Sequence, residues 1–147
     1  MFNDDESLLR QLTDDLQEEI RSHEGYENVI VKSSYEDYPT ISYPLVLLYE
    51  IENSAVSKFY DLQEHIVNVS YQVIVHAKQT KDYSAADNVR NIMGIIRDYM
   101  RGERYHSLKR LGNTPITKKQ DDENIRIGYM RYVGQIDIDN HIIYRRN

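Results

Sequence analysis

Apolar residues near the start of the chain recur at spacings of three and four residues, which is the period of a helix with one buried face. These residues are Leu8, Leu9, Leu12, Leu16 and Ile20. Acidic residues fill most of the positions between them, so the pattern predicts an amphipathic helix from about residue 5 to residue 23, ending near Gly25. A short strand is predicted to follow at residues 29–31.

A second helix is predicted from residue 85 to residue 100. Its apolar stripe consists of Ala85, Val89, Ile92, Met93, Ile96 and Met100. Ser84 and Asp87 have the spacing of a capping box, in which the serine oxygen accepts a hydrogen bond from a free backbone N–H and the acid reaches back. Gly102 is a natural C-terminal stop.

Two segments in the first half of the chain have the alternation of strands. The first runs from Tyr43 to Ile51, and Val46 and Leu48 make its centre apolar on both faces, so we expect both faces to be covered there. The second spans residues 66–76, with valine and tyrosine on one face and mostly polar residues on the other. We expect its apolar face to be buried and its other face to be mostly in water.

The last third of the chain predicts shorter elements. We expect a short strand near Leu108, a turn at Gly112-Asn113 and a mobile loop around residues 117–124. Strands are predicted at residues 126–138, with Gly128 and Gly134 as bulge or close-approach positions, and at residues 141–144. The order of helix, strands, helix and strands predicts one α+β domain over residues 1–147, with a mostly antiparallel sheet and two helices packed on one face.

Composition removes several function classes. The chain has no cysteine, which excludes disulfides, thiol catalysis and cysteine metal sites. Its N-terminus is acidic where a signal peptide would be basic and apolar, and no apolar run approaches the roughly 20 residues of a membrane span. We therefore expect a protein of a reducing, aqueous compartment that does not contact a membrane.

The search for catalytic or metal-binding patterns finds little. The five histidines are scattered, and no two have the i, i+4 spacing of a helical zinc site. Glu50 and Glu52 could share one strand face, as in metal-dependent nucleases, but solvated charges are the simpler interpretation. No phosphate-binding glycine loop or nucleophile motif is present. We predict that the protein is not an enzyme and needs no metal or cofactor.

Charge is divided unevenly along the chain, whose net charge is −6. Residues 1–64 carry 15 acids and 4 bases, whereas residues 65–147 carry 9 acids and 14 bases. Two interpretations stay open: two solvated surfaces of different charge, or opposite faces suited to head-to-tail association. The total acidity argues against bulk binding of nucleic acid.

If the subunit associates with itself, its charged residues are the candidates for opposing patches. The acidic set is Asp14, Asp15, Glu18 and Glu19, and the basic set is Arg97, Arg101 and Arg104. An ordinary charged helix face is the alternative for the arginines. Surface ion pairs contribute little affinity, so aromatic anchors are also needed. Tyr60 and Tyr105 are the candidates among the 13 tyrosines.

Several segments together resemble the tail terminator (tail completion) proteins of long-tailed bacteriophages. They are the alternating strand that includes Ser70-Tyr71-Gln72-Val73-Ile74-Val75, the helix at 85–100, and the closing segments 131–137 and 142–145. The resemblance implies a subunit of a hexameric ring that caps the tail tube, ends its polymerisation and joins the tail to the head connector. It implies a virion location at the tail–neck junction, after assembly in the host cytoplasm.

The resemblance also implies partners: further copies of the chain, the tail tube protein and the head–tail connector protein. DNA passes through such a ring without specific binding. The family has no catalytic motif, so no residue inherits an active-site role. Two alternatives stay open. One is a head-closure or neck protein of the same connector region, and the other is an intracellular nucleic-acid-processing or regulatory protein that uses the basic second half.

Overall fold

The computed structural model describes residues 4–33, 42–55, 67–112, 115–119, 122–136 and 142. These residues form two helices, α1 (Asp4–Arg21) and α2 (Ala85–Met100). Six strands accompany them: β1 (Ile30–Ser33), β2 (Leu45–Ala55), β3 (Val67–Lys78), β4 (Lys109–Arg110), β5 (Thr117–Lys119) and β6 (Asp122–Ile136).

The strands form one sheet in the order β1-β2-β3-β6-β4, with β5 also paired to β6. Strand β1 runs parallel to β2, and every other pairing of named strands is antiparallel. Because β3 occupies one edge of β6, β4 and β5 lie along its other edge, β4 opposite Tyr132 and Val133 and β5 nearer the start of the strand. The predicted α+β class with a mostly antiparallel sheet is confirmed.

Both helices pack on the same face of the sheet, as predicted. The five apolar residues of α1 named above are each at most 3% exposed. They share one core with Val46 and Leu48 of β2, with alternate residues of β3, and with Ile92 and Ile96 of α2. Helix α1 lies against β1 and β2, whereas α2 lies against β3 and β6. The two helices therefore cover opposite ends of the sheet.

The glycines of β6 are close-approach positions. A Cβ atom built on Gly128 would overlap the Met93 sulfur and lie 2.7 Å from a Val89 methyl carbon, and one on Gly134 would lie 2.5 Å from a Leu108 methyl carbon. Real Cβ atoms do not approach neighbours so closely. The absence of a side chain at Gly128 thus allows α2 to pack directly on the sheet.

The face of the sheet away from the helices is more buried than the sequence predicts. Leu45 to Leu48 are all buried, which confirms that β2 is covered on both faces at its centre. On β3, however, Ser70 is 1% exposed and His76 is 8% exposed, so the prediction of a mostly wet second face is wrong at these positions. Small or polar side chains can be buried where neighbouring apolar residues surround them, and His76 lies between Leu45 and Ile127 in the sheet.

The predicted loop at 117–124 is also wrong. Thr117 to Lys119 form β5, and β6 already begins at Asp122, with Lys118 opposite Arg126. An edge strand gains its hydrogen bonds from one neighbour and needs no apolar alternation, so the polar sequence concealed it. Of the second predicted C-terminal strand, only Ile142 lies within the described residues, where it bridges to Ile136.

Candidate functional site

A basic cleft lies between the end of α2, the segment that follows it, and the edge of the sheet. The chain leaves α2, turns between residues 101 and 108, and enters β4 with Lys109 and Arg110. The cleft has a volume of about 300 Å³. Its lining consists of Arg97, Met100, Arg101, His106, Leu108, Lys109, Arg110 and Tyr132. Four of these side chains are permanent cations, and none is a carboxylate.

Tyr132 is the most buried polar side chain of the basic cleft. The residue is 3% exposed, and its hydroxyl oxygen is buried without a hydrogen-bond partner among the described residues. Burial raises the pKa of the Tyr132 hydroxyl, and the positive charges of Arg110, Arg97 and Arg101 partly oppose that rise. The hydroxyl is therefore a neutral donor at physiological pH. A buried hydroxyl without a partner costs about 1–3 kcal/mol.

Arg97 contributes a second unsatisfied donor to the cleft. Its Nε atom is buried and forms no hydrogen bond with the described residues, and the Asp98 carboxylate oxygen is 3.9 Å away. Arg97 and Arg101 are four residues apart on α2, which places them on one side of the helix. Together with the Tyr132 hydroxyl, these groups have the chemistry of an oxyanion-binding site, where arginine and hydroxyl donors converge on negative oxygen atoms.

Three of the residues predicted for subunit contacts bind one another within a single subunit. The Tyr105 hydroxyl donates to Asp15 Oδ2 at 2.5 Å, and Arg104 Nη1 lies 3.2 Å from the same oxygen. The Tyr105 residue is 1% exposed, packed beside Tyr99 with their ring centroids 5.8 Å apart. Burial, reinforced by the bond to Asp15, raises the pKa of Tyr105. Its ring is thus not available as the exposed anchor that the sequence suggested.

The remaining acidic candidates lie on α1. Asp14 and Glu18 are exposed, one turn apart, and neither side chain forms an ion pair or hydrogen bond with another described residue. We call this pair the acidic ridge. Glu19 instead lies 3.4 Å from His23 Nε2.

Helix α1, which carries the acidic ridge, is hydrogen-bonded to the β1 edge of the sheet. Gln17, beside the ridge on α1, accepts a hydrogen bond from the Val31 backbone N–H at 3.1 Å. Arg21 donates from Nε to the Val29 carbonyl at 2.9 Å. The basic cleft includes β4, which lies at the other end of the strand order from β1, the strand to which α1 is hydrogen-bonded beside the ridge.

The structure thus divides the candidate residues. Arg97 and Arg101 line the basic cleft, and Asp14 and Glu18 form the acidic ridge. Asp15, Arg104 and Tyr105 are joined between the helices. Tyr60 lies outside the described residues.

Two parts of the basic cleft could not be identified from the sequence. They are buried Tyr132 and the pair Lys109 and Arg110. The sequence predicts only that Tyr132 belongs to a closing strand and that Lys109 and Arg110 lie near a short strand. The charged dipeptide directly after buried Leu108 was the signal available. Leu111, which follows, is 49% exposed at the same edge, and its backbone N–H donates to the Arg131 carbonyl at 2.8 Å. It is an apolar contact residue that the sequence pattern alone did not single out.

Neither metal-binding clusters nor membrane-crossing helices occur in the described residues. Within the described ranges, no group of three or more His, Asp or Glu side chains is arranged to hold a metal ion. In the same part of the chain, neither helix combines the length and apolar character that crossing a membrane requires.

Comparison with known proteins finds no protein-family model that matches the sequence and no significantly similar curated protein. Function must therefore be inferred from the fold and from the two charged surfaces. The basic cleft and the acidic ridge are two features of the described residues that a partner could recognise.

Proposed function

We propose that this protein is a non-catalytic virion assembly subunit that forms a homomeric ring, a hexamer, on the tail tube of a long-tailed bacteriophage. The ring caps the tube, ends its polymerisation and joins the tail to the head connector. The observation that supports a ring is that the acidic ridge lies on α1, which covers β1 and β2, whereas the basic cleft includes β4 at the other end of the strand order.

A closed ring of identical subunits requires two different surfaces on each subunit, since every contact joins one surface to the other. Opposite charges at the two surfaces orient the approaching subunits and accelerate their encounter. They do not supply most of the affinity, because an exposed ion pair contributes only about 0–1 kcal/mol. Apolar contacts must add to it, and Leu111 offers one beside the basic cleft.

The chemistry of the basic cleft supports binding over catalysis. Its lining supplies arginine, lysine and tyrosine donors beside His106, and no described lining residue is a carboxylate. The raised pKa of Tyr132 keeps its hydroxyl neutral, so it can hold an anion but is a poor base.

The proposed partners are the tail tube protein on one side of the ring and the head–tail connector protein on the other. The proposed location is the tail–neck junction of the virion, reached after assembly in the host cytoplasm. DNA would pass through the ring without specific binding. A net charge of −6 is consistent with that role, since a lumen that held DNA electrostatically would impede its passage.

A nucleic-acid-binding protein is the second candidate, because four permanent cations line one cleft and phosphate is also an oxyanion. A head-closure protein of the same neck region would form a similar ring. These functions can be separated by adding the purified chain to polymerising tail tube protein. A terminator stops tube growth, and electron microscopy should show shorter tubes with a ring at one end. Tubes of unchanged length without an end ring would contradict the proposal.

A further inference from the structure

The basic cleft contains two buried donors that no described residue satisfies, the Tyr132 hydroxyl and Arg97 Nε. We infer that this cleft is a carboxylate-binding socket that receives the acidic ridge, Asp14 and Glu18, of a second copy of the chain. The inference rests on the proposed ring and identifies the residues that join one subunit to the next.

The donors of the cleft fit a carboxylate. Arginine presents its N–H groups in a planar fork that can bind both oxygens of a carboxylate, which the point charge of a lysine cannot do. Arg97, Arg101 and Arg110 are near enough to the Tyr132 hydroxyl for their charges to affect its pKa. A carboxylate that enters between them would meet guanidinium groups and a neutral hydroxyl donor together.

The acidic ridge is small enough for the socket to receive it. Asp14 and Glu18 are one helical turn apart, so their Cβ atoms are about 6 Å from each other. Both carboxylates are exposed and unpaired among the described residues, whereas Asp15 is already bound by Tyr105 and Arg104. A cleft of about 300 Å³ can hold such side chains. A nucleic-acid backbone would instead need a longer groove that follows successive phosphates.

The ridge that fills the socket must come from another copy. Within one subunit α1 covers β1 and β2, while the socket lies beyond β6 at the β4 edge. A subunit therefore presents the Tyr132 and Arg97 donors, unsatisfied among the described residues, towards the β4 end of the sheet, and the exposed ridge on the helix at the other end. Repeating the same contact around a ring fills every socket with the ridge of a neighbour.

Charge reversal tests the pairing directly. One variant carries Asp14→Arg and Glu18→Arg on the ridge, and the other carries Arg97→Glu and Arg101→Glu in the cleft. Each should weaken its own ring formation by at least about tenfold at low salt, because like charges then meet at every contact. Circular dichroism of each free variant checks that the subunit is folded.

Mixing the two variants makes the test specific. The reversed ridge of the first variant complements the reversed cleft of the second, and the unchanged ridge of the second complements the unchanged cleft of the first. Native mass spectrometry of the mixture should show restored rings with equal numbers of the two variants. A single chain with all four changes should also form rings. Failure of both to restore assembly would overturn the inference.

Tyr132→Phe tests the buried hydroxyl. Removal of an unsatisfied hydroxyl should leave the free subunit as stable as before or more stable, yet weaken ring formation by about threefold or more because a donor to the carboxylate is lost. Tyr83→Phe, on an exposed tyrosine, is the matched control and should change neither the stability of the free subunit nor ring formation. An unchanged ring affinity in Tyr132→Phe would contradict a role for this hydroxyl in the socket.

The outcomes separate the inference from the proposed function. If the natural chain forms rings and both charge-reversed variants form them equally well, the socket is wrong and the ring stands. If the natural chain forms no ring alone or on tail tubes, the proposed function fails and the socket fails with it. Salt-sensitive DNA binding that Arg97→Glu with Arg101→Glu abolishes, with ring formation unaffected, would assign the cleft to nucleic acid instead.

Discussion

The hydroxyl of Tyr105 donates a hydrogen bond to the carboxylate of Asp15 at 2.5 Å, which links the segment after α2 to the middle of α1. Arg104 binds the same carboxylate oxygen at 3.2 Å. Hydrogen bonds to a charged acceptor are stronger than neutral ones. Asp15, Arg104 and Tyr105 are all residues that the sequence predicts for contacts between subunits. They instead join α1 to the segment after α2 within one subunit.

Tyr105→Phe should reduce the free energy of unfolding of the subunit by about 1–3 kcal/mol, because the change leaves the Asp15 carboxylate without a buried donor. Urea denaturation followed by circular dichroism measures this free energy. Tyr83→Phe provides the control, since the side chain of Tyr83 is exposed and its loss of a hydroxyl should have little effect. Equal stability of the two variants would show that the link between the helices contributes nothing.

Helix α2 shows how far the sequence predicts the fold. Its predicted limits, 85–100, match the structure, and the Ser84 hydroxyl accepts from the Asp87 N–H at 3.1 Å, as expected of a cap. The acid, however, does not reach back to the cap, because Asp87 binds Arg90 at 2.9 Å. Local periodicity and capping chemistry determine a helix and its ends, but the partner of a charged side chain depends on its neighbours in space.

The candidate site was only partly predictable for the same reason. Arg97 and Arg101 were identified from their spacing on one helix, which is a local pattern. The grouping of these arginines with Tyr132 and Arg110 depends on the pairing of β4 with β6, more than 20 residues apart in sequence. The hydrogen-bond partners of Asp15 depend on the packing of α1 against α2, which no short sequence pattern encodes.

Gly128→Ala should destabilise the subunit by about 1–3 kcal/mol, because the added methyl group would overlap Met93 and Val89 in a packed core. Gly94→Ala is the matched control. A Cβ there meets nothing closer than 3.8 Å, and alanine is the better helix former, so this variant should gain up to about 1 kcal/mol. Thermal or urea unfolding compares the two. If the Gly128→Ala variant is as stable as the natural chain, α2 does not pack on β6 as closely as described.

His76 should make stability depend on pH below neutrality. Burial lowers the pKa of His76 below 6.5, helped by the charge of Lys119 and opposed by a hydrogen bond to the Leu45 carbonyl. The unfolded chain therefore binds the proton more readily than the folded one. The stability present above pH 6.5 should be lost as the pH falls through the folded pKa, with a slope of at most about 1.4 kcal/mol per pH unit.

His76→Gln should remove that contribution to the slope, measured as unfolding free energy at several pH values between about 4.5 and 7.5. If His76→Gln and the natural chain lose stability in parallel on acidification, the pH dependence has another source.

Leu111→Ser should weaken ring formation without unfolding the subunit. Leu111 is 49% exposed beside the basic cleft, so its loss removes apolar contact area from the interface but none from the core. Full burial of a leucine side chain contributes about 1.5–3 kcal/mol, and an interface can bury only the exposed half of Leu111, so we expect a loss of about three- to tenfold in affinity. Ile51→Ser, at an equally exposed position on β2, is the control. Equal effects of the two changes on ring formation would contradict the assignment of Leu111 to the interface.

Native mass spectrometry of the purified chain over a range of concentrations tests the ring most directly. A closed ring has one size, so we predict monomers of 17.4 kDa and a single larger species of six copies, without a ladder of intermediate or larger assemblies. The ring species should increase with protein concentration and decrease at high salt, since charge aids its formation. Monomers alone at every concentration, or an open-ended ladder of sizes, would contradict a closed ring of this subunit.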